Sequence, residues 1–211
     1  MTETLLLTTA DGETLEAERT DAIGPVRAQI VLCHPHPQHG GTMQSLVTSE
    51  LFRQLPDHGL TCLRFNFRGV GRSTGSFRDG IGERLDVLAA LDTVTSARSS
   101  GSTHPPTFIV GWSFGADLAL STIDPRVGGW VAIALPLHWL ANPAAIRADP
   151  RPKLLLLADH DEFRPAEQVV AAASDWAATD TEIISGASHF FVGRTDVLVR
   201  HVAGWITTHA P

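Results

Sequence analysis

Hydrophobic patterning divides the chain into short strand-like runs and longer helical segments. Residues 3–9 and 14–20 alternate polar and apolar positions on either side of Asp11 and Gly12, which predicts an antiparallel hairpin. Six further runs are continuously apolar, as is typical of strands that are covered on both faces in a parallel sheet. These runs are residues 28–33, 60–65, 107–111, 129–134, 153–158 and 181–184.

Helical patterns separate most of these runs. The segments with helical spacing of apolar residues are 43–56, 82–97, 116–123, 165–178 and 195–208. The Ser/Gly stretch at 99–102 is predicted to be a short loop before the next strand. A hairpin followed by repeated strand–helix units predicts an α/β fold. Its twisted, mostly parallel sheet carries helices on both faces and the hairpin at its N-terminal edge. Residues 1–211 are predicted to form a single domain.

Composition and charge narrow the possible partners. Of the 211 residues, 43% are hydrophobic and 18% are charged, which is ordinary for a globular protein. The formal net charge is −7 and no basic cluster stands out, which argues against a nucleic-acid partner. No stretch reaches the roughly 18 apolar residues of a membrane span, and the N-terminal segment lacks the features of a signal peptide. A cytoplasmic location is therefore expected.

The two cysteines, Cys33 and Cys62, each lie inside an apolar run. They are predicted to be small buried side chains in strands. A disulfide between them remains possible if the two strands are neighbours.

A serine between two glycines is the candidate nucleophile. The sequence GWSFG at 111–115 follows a predicted strand and precedes a predicted helix, which is the context that gives the G-x-S-x-G motif its meaning. Such a sharp turn strains the serine, and Gly111 and Gly115 remove the clashes of larger side chains. Ser113 is therefore predicted to be a nucleophile at the start of a helix. The alternative is a structural serine in a glycine-rich turn.

A serine hydroxyl needs a base, and the base needs an acid that orients it. In this architecture both should follow the nucleophile along the chain, at the carboxyl ends of later strands. Three acidic residues follow the run 153–158, namely Asp159, Asp161 and Glu162. Asp161 is the preferred acid, because Asp159 lies so close to the strand that it more plausibly binds loop backbone. Asp159 is the second choice.

Histidines supply the candidate base. His189 follows the run 181–184, and the order Ser113, Asp161, His189 is the one expected. The alternative for His189 is a loop histidine that packs against Phe190. His160 and His201 are expected to face solvent.

When a serine attacks a carbonyl carbon, the carbonyl oxygen becomes an oxyanion, which two backbone N–H groups should stabilise. One is expected from Phe114, the residue after the nucleophile. The other should come from the loop HPHPQHGGT at 34–42. Because Pro35 and Pro37 lack an N–H, His36 is the predicted donor between them.

Five motifs carry a resemblance to a known family. They are HPHPQHGGTM (34–43), LRFNFRGVGRSTGSF (63–77), GWSFG (111–115), ADHDEF (158–163) and GASHFF (186–191). With them the chain resembles the α/β-hydrolase superfamily, and within it the small bacterial serine hydrolases related to dienelactone hydrolases. The resemblance implies hydrolysis of a small-molecule ester or thioester. It also implies roles for five residues: nucleophile Ser113, acid Asp161, base His189, and oxyanion donors His36 and Phe114.

Two further expectations concern the mouth of the site. Larger relatives insert a cap domain where this chain has residues 135–152, and 18 residues suffice only for a short helix or flap. Trp139 and Leu140 are expected to give that flap an apolar wall beside an open site. Arg68 and Arg72 are expected to hold loops, with binding of an acidic substrate group as the alternative.

Two rival interpretations remain. His34, His36 and His39 form H-x-H-x-x-H, which resembles the zinc motif of metallo-β-lactamase-type hydrolases, although Gln38 stands where a second metal would need Asp. The same fold could instead serve as a binding module without catalysis. No cofactor and no metal are predicted.

Overall fold

Eight strands form one sheet in the computed structural model, which describes residues 2–96 and 105–210. The strands are β1 (Thr2–Thr8), β2 (Thr14–Thr20), β3 (Ala28–Cys33), β4 (Leu60–Phe65), β5 (Thr107–Trp112), β6 (Val127–Ile133), β7 (Lys153–His160) and β8 (Thr179–Ser188). Their order across the sheet is β1-β2-β4-β3-β5-β6-β7-β8. The β1–β2 and β2–β4 pairs are antiparallel, and all other pairs are parallel. The predicted fold class is confirmed.

Six helices within the described residues cover the two faces of this sheet. They are α1 (Leu46–Gln54), α2 (Glu83–Ser96), α3 (Phe114–Ser121), α4 (Pro143–Ala148), α5 (Ala166–Ala172) and α6 (Thr195–His209). One core holds buried residues of α1 and α6, and the other holds those of α2, α3, α4 and α5. Along β7, Leu154 belongs to one core and Leu155 to the other. Because successive side chains point to opposite faces, a strand buried on both sides reads as a continuous apolar run.

Several boundaries differ from the predicted ones. The strand predicted at 153–158 continues to His160, with a register shift between Ala158 and His160, so Asp159 lies within β7 rather than after it. The helix predicted at 165–178 ends at Ala172. The loop predicted at 99–102 lies outside the described residues.

The two cysteines are buried and free, as small core residues should be. They lie in neighbouring strands, but Cys33 packs in one core and Cys62 in the other. Their side chains therefore point to opposite faces of the sheet, and the possible disulfide is excluded by that geometry. Burial raises the pKa of both thiols.

The segment that was expected to form a short helix or flap, residues 135–152, has that character. Between β6 and β7 it contains a single six-residue helix, α4, among residues that the structure describes throughout. No helix in residues 2–96 and 105–210 is long and apolar enough to cross a membrane.

Arg68 ties the loop after β4 to two other parts of the fold. Its side chain is 1% exposed and donates to Asp86 of α2 at 2.7 Å and to Asp11 of the hairpin turn at 2.8 Å. Burial opposes the charge on Arg68, but the hydrogen bonds to Asp11 and Asp86 raise its pKa above the usual value. The Arg72 side chain is exposed, and its Nε lies 3.7 Å from Glu16 Oε1. The contacts of Arg68 agree with the loop-holding interpretation, whereas the Arg72 side chain makes only a long contact with Glu16.

Replacing Arg68 with methionine should destabilise the fold by about 3–5 kcal/mol, because Asp86 would remain buried without its cation. Urea denaturation of the purified variant at neutral pH measures this loss. Arg72→Met, in the same loop but exposed, should change stability by less than about 0.5 kcal/mol. If both substitutions changed the free energy of unfolding by the same small amount, the Arg68 ion pairs would not stabilise the fold.

Candidate active site

The turn that carries Ser113 is sharp and strained. β5 ends at Trp112 and α3 begins at Phe114, so Ser113 alone makes the turn, with φ 55° and ψ −122°. A non-glycine residue in such a conformation costs about 1–3 kcal/mol and persists only where its surroundings hold it. The Ser113 N–H donates to the carbonyl of Ile133 at 2.8 Å. The strained serine conformation that the motif predicts is therefore present.

Both glycines of the motif are required by close backbone contacts. A Cβ at Gly111 would lie 2.0 Å from the carbonyl oxygen of Gly115, and a Cβ at Gly115 would lie 2.3 Å from that of Cys33. Any larger residue would force the backbone apart. The start of α3 is thus pressed against the end of β3 and the loop that follows it.

A hydrogen-bonded chain joins the three residues predicted as nucleophile, base and acid. His189 Nε2 lies 3.0 Å from Ser113 Oγ, and His189 Nδ1 lies 2.8 Å from Asp161 Oδ2. The side chains of His189 and Asp161 are only 7% and 3% exposed. An ionised carboxylate can only accept, so Nδ1 carries the proton and Nε2 is left to accept from the serine hydroxyl.

Asp161 is held in its ionised form by its surroundings. Its second oxygen, Oδ1, accepts from the N–H groups of Phe163 at 2.9 Å and Arg164 at 3.0 Å. Burial opposes ionisation, but the hydrogen bonds from His189 and from these amides hold the pKa of Asp161 below its usual range. The Asp161 carboxylate is therefore negatively charged at neutral pH, next to Nδ1 of the His189 imidazole.

The competing acid, Asp159, is engaged elsewhere. Its two oxygens accept from the N–H groups of Gly186 at 2.9 Å and Ala187 at 3.0 Å. These bonds hold the pKa of Asp159 below its usual value. Asp159 lies at the register shift between β7 and β8, where amides of β8 lose their regular strand partners. The Asp159 carboxylate therefore binds backbone amides, which is the role that the sequence predicts for it.

The two residues predicted as oxyanion donors lie side by side. The ring centroids of His36 and Phe114 are 5.1 Å apart. Phe114 is the first residue of α3, so its N–H has no partner within the helix. The carbonyl of His36 accepts from the N–H groups of His39 at 3.1 Å and Gly41 at 3.0 Å, which fixes the loop. A Cβ at Gly41 would lie 2.2 Å from the Pro35 carbonyl oxygen, so this glycine is also required.

His34, the most deeply buried histidine of the H-x-H-x-x-H motif, has a structural role. His34 is buried, its Nδ1 lies 2.6 Å from the Pro35 carbonyl and its Nε2 accepts from the Phe67 N–H at 3.0 Å. Burial lowers the pKa of His34 to about 3, so the ring is neutral. With both nitrogens occupied, it has no lone pair left for a metal. In residues 2–96 and 105–210, no group of three or more His, Cys, Asp and Glu side chains is arranged to hold a metal ion.

A cavity of about 670 Å³ opens in front of Ser113 and His189. Its walls are mainly apolar and aromatic, and include Leu46, Trp112, Trp139, Phe163, Phe190 and Val192. Trp139 was expected in this wall, whereas Leu140 packs against the core. Phe163 and Phe190 pack on the imidazole of His189, with ring centroids 4.6 Å and 5.5 Å away.

One buried group next to the site was not singled out from the sequence. Asp117 lies one helical turn after Ser113 and is completely buried. An acid inside the apolar run ADLAL at 116–120 was the available signal. Its contacts with a distant loop have no counterpart in the sequence pattern.

Comparisons with known proteins show which family and which folds this chain is similar to. A family model described as an alpha/beta hydrolase domain matches residues 26–203. The chain is 30% identical over 204 residues to an uncharacterised protein of Rickettsia prowazekii. The matched region covers 92% of this chain and 84% of that protein. A solved alpha-beta serine hydrolase homologue from Coxiella burnetii is similar, with a TM-score of 0.85, 34% identity and coverage of 96% of each chain. A Xanthomonas campestris structure, described as an a/b serine hydrolase without a lid, has a TM-score of 0.82 and 25% identity, covering 97% of this chain and 94% of that one.

Proposed function

The chain belongs to the alpha/beta hydrolase domain family, and from that premise we propose that it is a serine hydrolase cleaving small carboxylic esters or thioesters. The observation that carries the proposal is the continuous hydrogen-bonded chain from Ser113 Oγ through His189 to Asp161. A binding module has no need of a general base aligned on a strained hydroxyl. Residues 1–211 are proposed to act as one catalytic domain.

In the proposed first step, Ser113 Oγ attacks the carbonyl carbon of the ester while His189 Nε2 takes the hydroxyl proton. Asp161 stabilises the imidazolium that forms and keeps Nδ1 protonated. The carbonyl π electrons move to its oxygen, which becomes an oxyanion. The N–H groups of His36 and Phe114 are proposed to donate to that oxygen, and the N-terminus of α3 adds a favourable dipole.

The proposed intermediate then collapses and the bond to the leaving alcohol or thiol breaks. His189 returns its proton to the leaving group, which departs neutral and leaves an acyl ester on Ser113. Water next attacks the acyl carbon while His189 takes a proton from it. The second collapse releases a carboxylic acid and restores the serine hydroxyl.

The shape and chemistry of the cavity support esters of modest size with apolar groups. The walls are rich in aromatic side chains, and the short segment between β6 and β7 leaves the mouth open. Phe163 and Val192 at the mouth are more than half exposed and offer apolar surface to the part of the substrate outside the cavity.

Reaction with a fluorophosphonate probe tests the proposal, because such probes modify only an activated serine. The native protein should be labelled stoichiometrically, and the label should map to the tryptic peptide 99–126, which contains Ser113. Heat-denatured protein is the matched control and should remain unlabelled. Absence of labelling, in a reaction where an active serine hydrolase is labelled, would favour the non-catalytic binding interpretation.

A further inference from the structure

A buried carboxylate links the nucleophile helix to one wall of the cavity. Asp117 Oδ2 accepts from the N–H groups of His138 and Trp139, both at 2.8 Å. The other oxygen, Oδ1, is buried and has no hydrogen-bond partner. Burial raises the pKa of Asp117 to about 6, although the two amides favour the charged form. An ionisable group is costly in such a place, and the proposed chemistry does not use it.

The loop that Asp117 binds is strained and needs external support. We call residues 134–142 the wall segment. Three of its non-glycine residues have left-handed backbone conformations, with φ 48° at Ala134, 58° at Leu137 and 51° at Asn142. Such conformations persist only where surrounding contacts fix them. A second contact from the same helix helps, since Ser121 Oγ accepts from the Ala141 N–H at 2.8 Å.

The wall segment reaches the reacting centre through one tryptophan. Trp139 packs against His36 and Phe114, with ring centroids 4.8 Å and 5.2 Å away. These are the two residues whose N–H groups are proposed to stabilise the oxyanion. His138 and Trp139 also line the cavity that contains Ser113. The contacts run from Asp117 through the wall segment to the substrate site.

We propose that Asp117 is a positioning residue that fixes the wall segment against helix α3 and thereby sets how tightly the cavity binds substrates large enough to touch Trp139. It does not contact the reacting atoms. The proposal rests on the proposed hydrolase function.

A carboxylate suits this task because a single oxygen accepts from two consecutive backbone amides. Alanine at position 117 would leave the amides of His138 and Trp139 without their acceptor, and the wall segment would lose its arrangement. Asparagine keeps one oxygen that can accept from both, while its NH₂ group would take the unpartnered position of Oδ1. Asp117→Asn should therefore preserve more of the wall than Asp117→Ala.

Hydrogen–deuterium exchange tests the anchor without relying on catalysis. In Asp117→Ala, peptides that cover residues 134–142 should exchange at least about tenfold faster, while β5 and β6 keep their protection. Asp117→Asn should lie between this variant and the wild type. Thr122→Val is the matched control, because Thr122 is buried near the end of the same helix and its hydroxyl bonds only Leu118. It should leave the wall segment unchanged.

Steady-state kinetics with two esters test the consequence for substrate. Asp117→Ala should raise KM for the bulky p-nitrophenyl phenylacetate on the order of tenfold while kcat for ethyl acetate stays within about threefold of wild type. A residue needed only for folding would instead lower the amount of active protein, and kcat would fall equally for both esters. In Asp117→Asn, KM for the bulky ester should return most of the way to the wild-type value.

The outcomes separate this inference from the proposed function. Wild-type protein that hydrolyses neither ester and resists the fluorophosphonate probe would overturn the function, and with it the effect on substrate. An active wild type whose Asp117→Ala variant keeps a protected wall segment, or keeps its KM for the bulky ester, would overturn the role of Asp117 alone. If Asp117→Ala does not fold, residues 134–142 should still exchange faster in Asp117→Asn than in Thr122→Val, and equal exchange in these two variants would overturn the role of Asp117.

Discussion

Replacing Ser113 with alanine is expected to lower kcat/KM for p-nitrophenyl acetate by about 10⁴-fold or more, which is the scale of nucleophile deletions in serine hydrolases. The oxygen that would form the acyl-enzyme is removed, and no neighbouring hydroxyl occupies the position 3.0 Å from His189 Nε2 in the described structure. The measurement is the steady-state rate of p-nitrophenolate release by purified protein, corrected for the spontaneous rate.

The same variant should remain folded. Alanine fits wherever serine fits, and the Ser113 N–H bond to the Ile133 carbonyl does not involve the side chain. The melting temperature should therefore stay within a few degrees of wild type. Ser174→Ala, which alters an exposed serine far along the chain, serves as the control and should retain full activity. Turnover retained by Ser113→Ala would mean that another group attacks the ester.

The strands could be predicted well because burial on both faces leaves a direct trace in the sequence. β3 and β4 have the predicted limits, 28–33 and 60–65, since the hydrophobic residues of those runs all pack in one core or the other. Strand ends were harder to place where a polar side chain takes part in the ladder. Asp159 extends β7 because its carboxylate replaces the lost strand partners of Gly186 and Ala187.

The candidate triad could be anticipated for a topological reason. Parallel strands place their carboxyl ends at one edge, so residues that follow β5, β7 and β8 meet there although 76 positions separate Ser113 from His189. Contacts made by a helix with a distant loop leave no such trace. The contact between Asp117 and the wall segment was missed because nothing in the periodicity of either stretch refers to the other.

Replacing Asp161 with asparagine is expected to lower kcat/KM by about 10³- to 10⁴-fold with little loss of stability. The asparagine amide can donate to His189 Nδ1, which favours the tautomer whose proton lies on Nε2. That nitrogen then cannot accept the Ser113 proton, although all three side chains keep their places. The loss should appear in the acylation rate and in labelling by the fluorophosphonate probe.

Asp159→Asn is the matched variant, because it makes the same chemical change two residues away. Asp159 accepts from Gly186 and Ala187 and has no bond to the imidazole of His189, so its replacement should cost only a few-fold in kcat/KM. The ratio between the two variants decides which carboxylate orients the base. If Asp159→Asn lost thousands-fold activity and Asp161→Asn little, the assignment would reverse, and His189 would have to rotate away from the 2.8 Å contact with Asp161 before it could work.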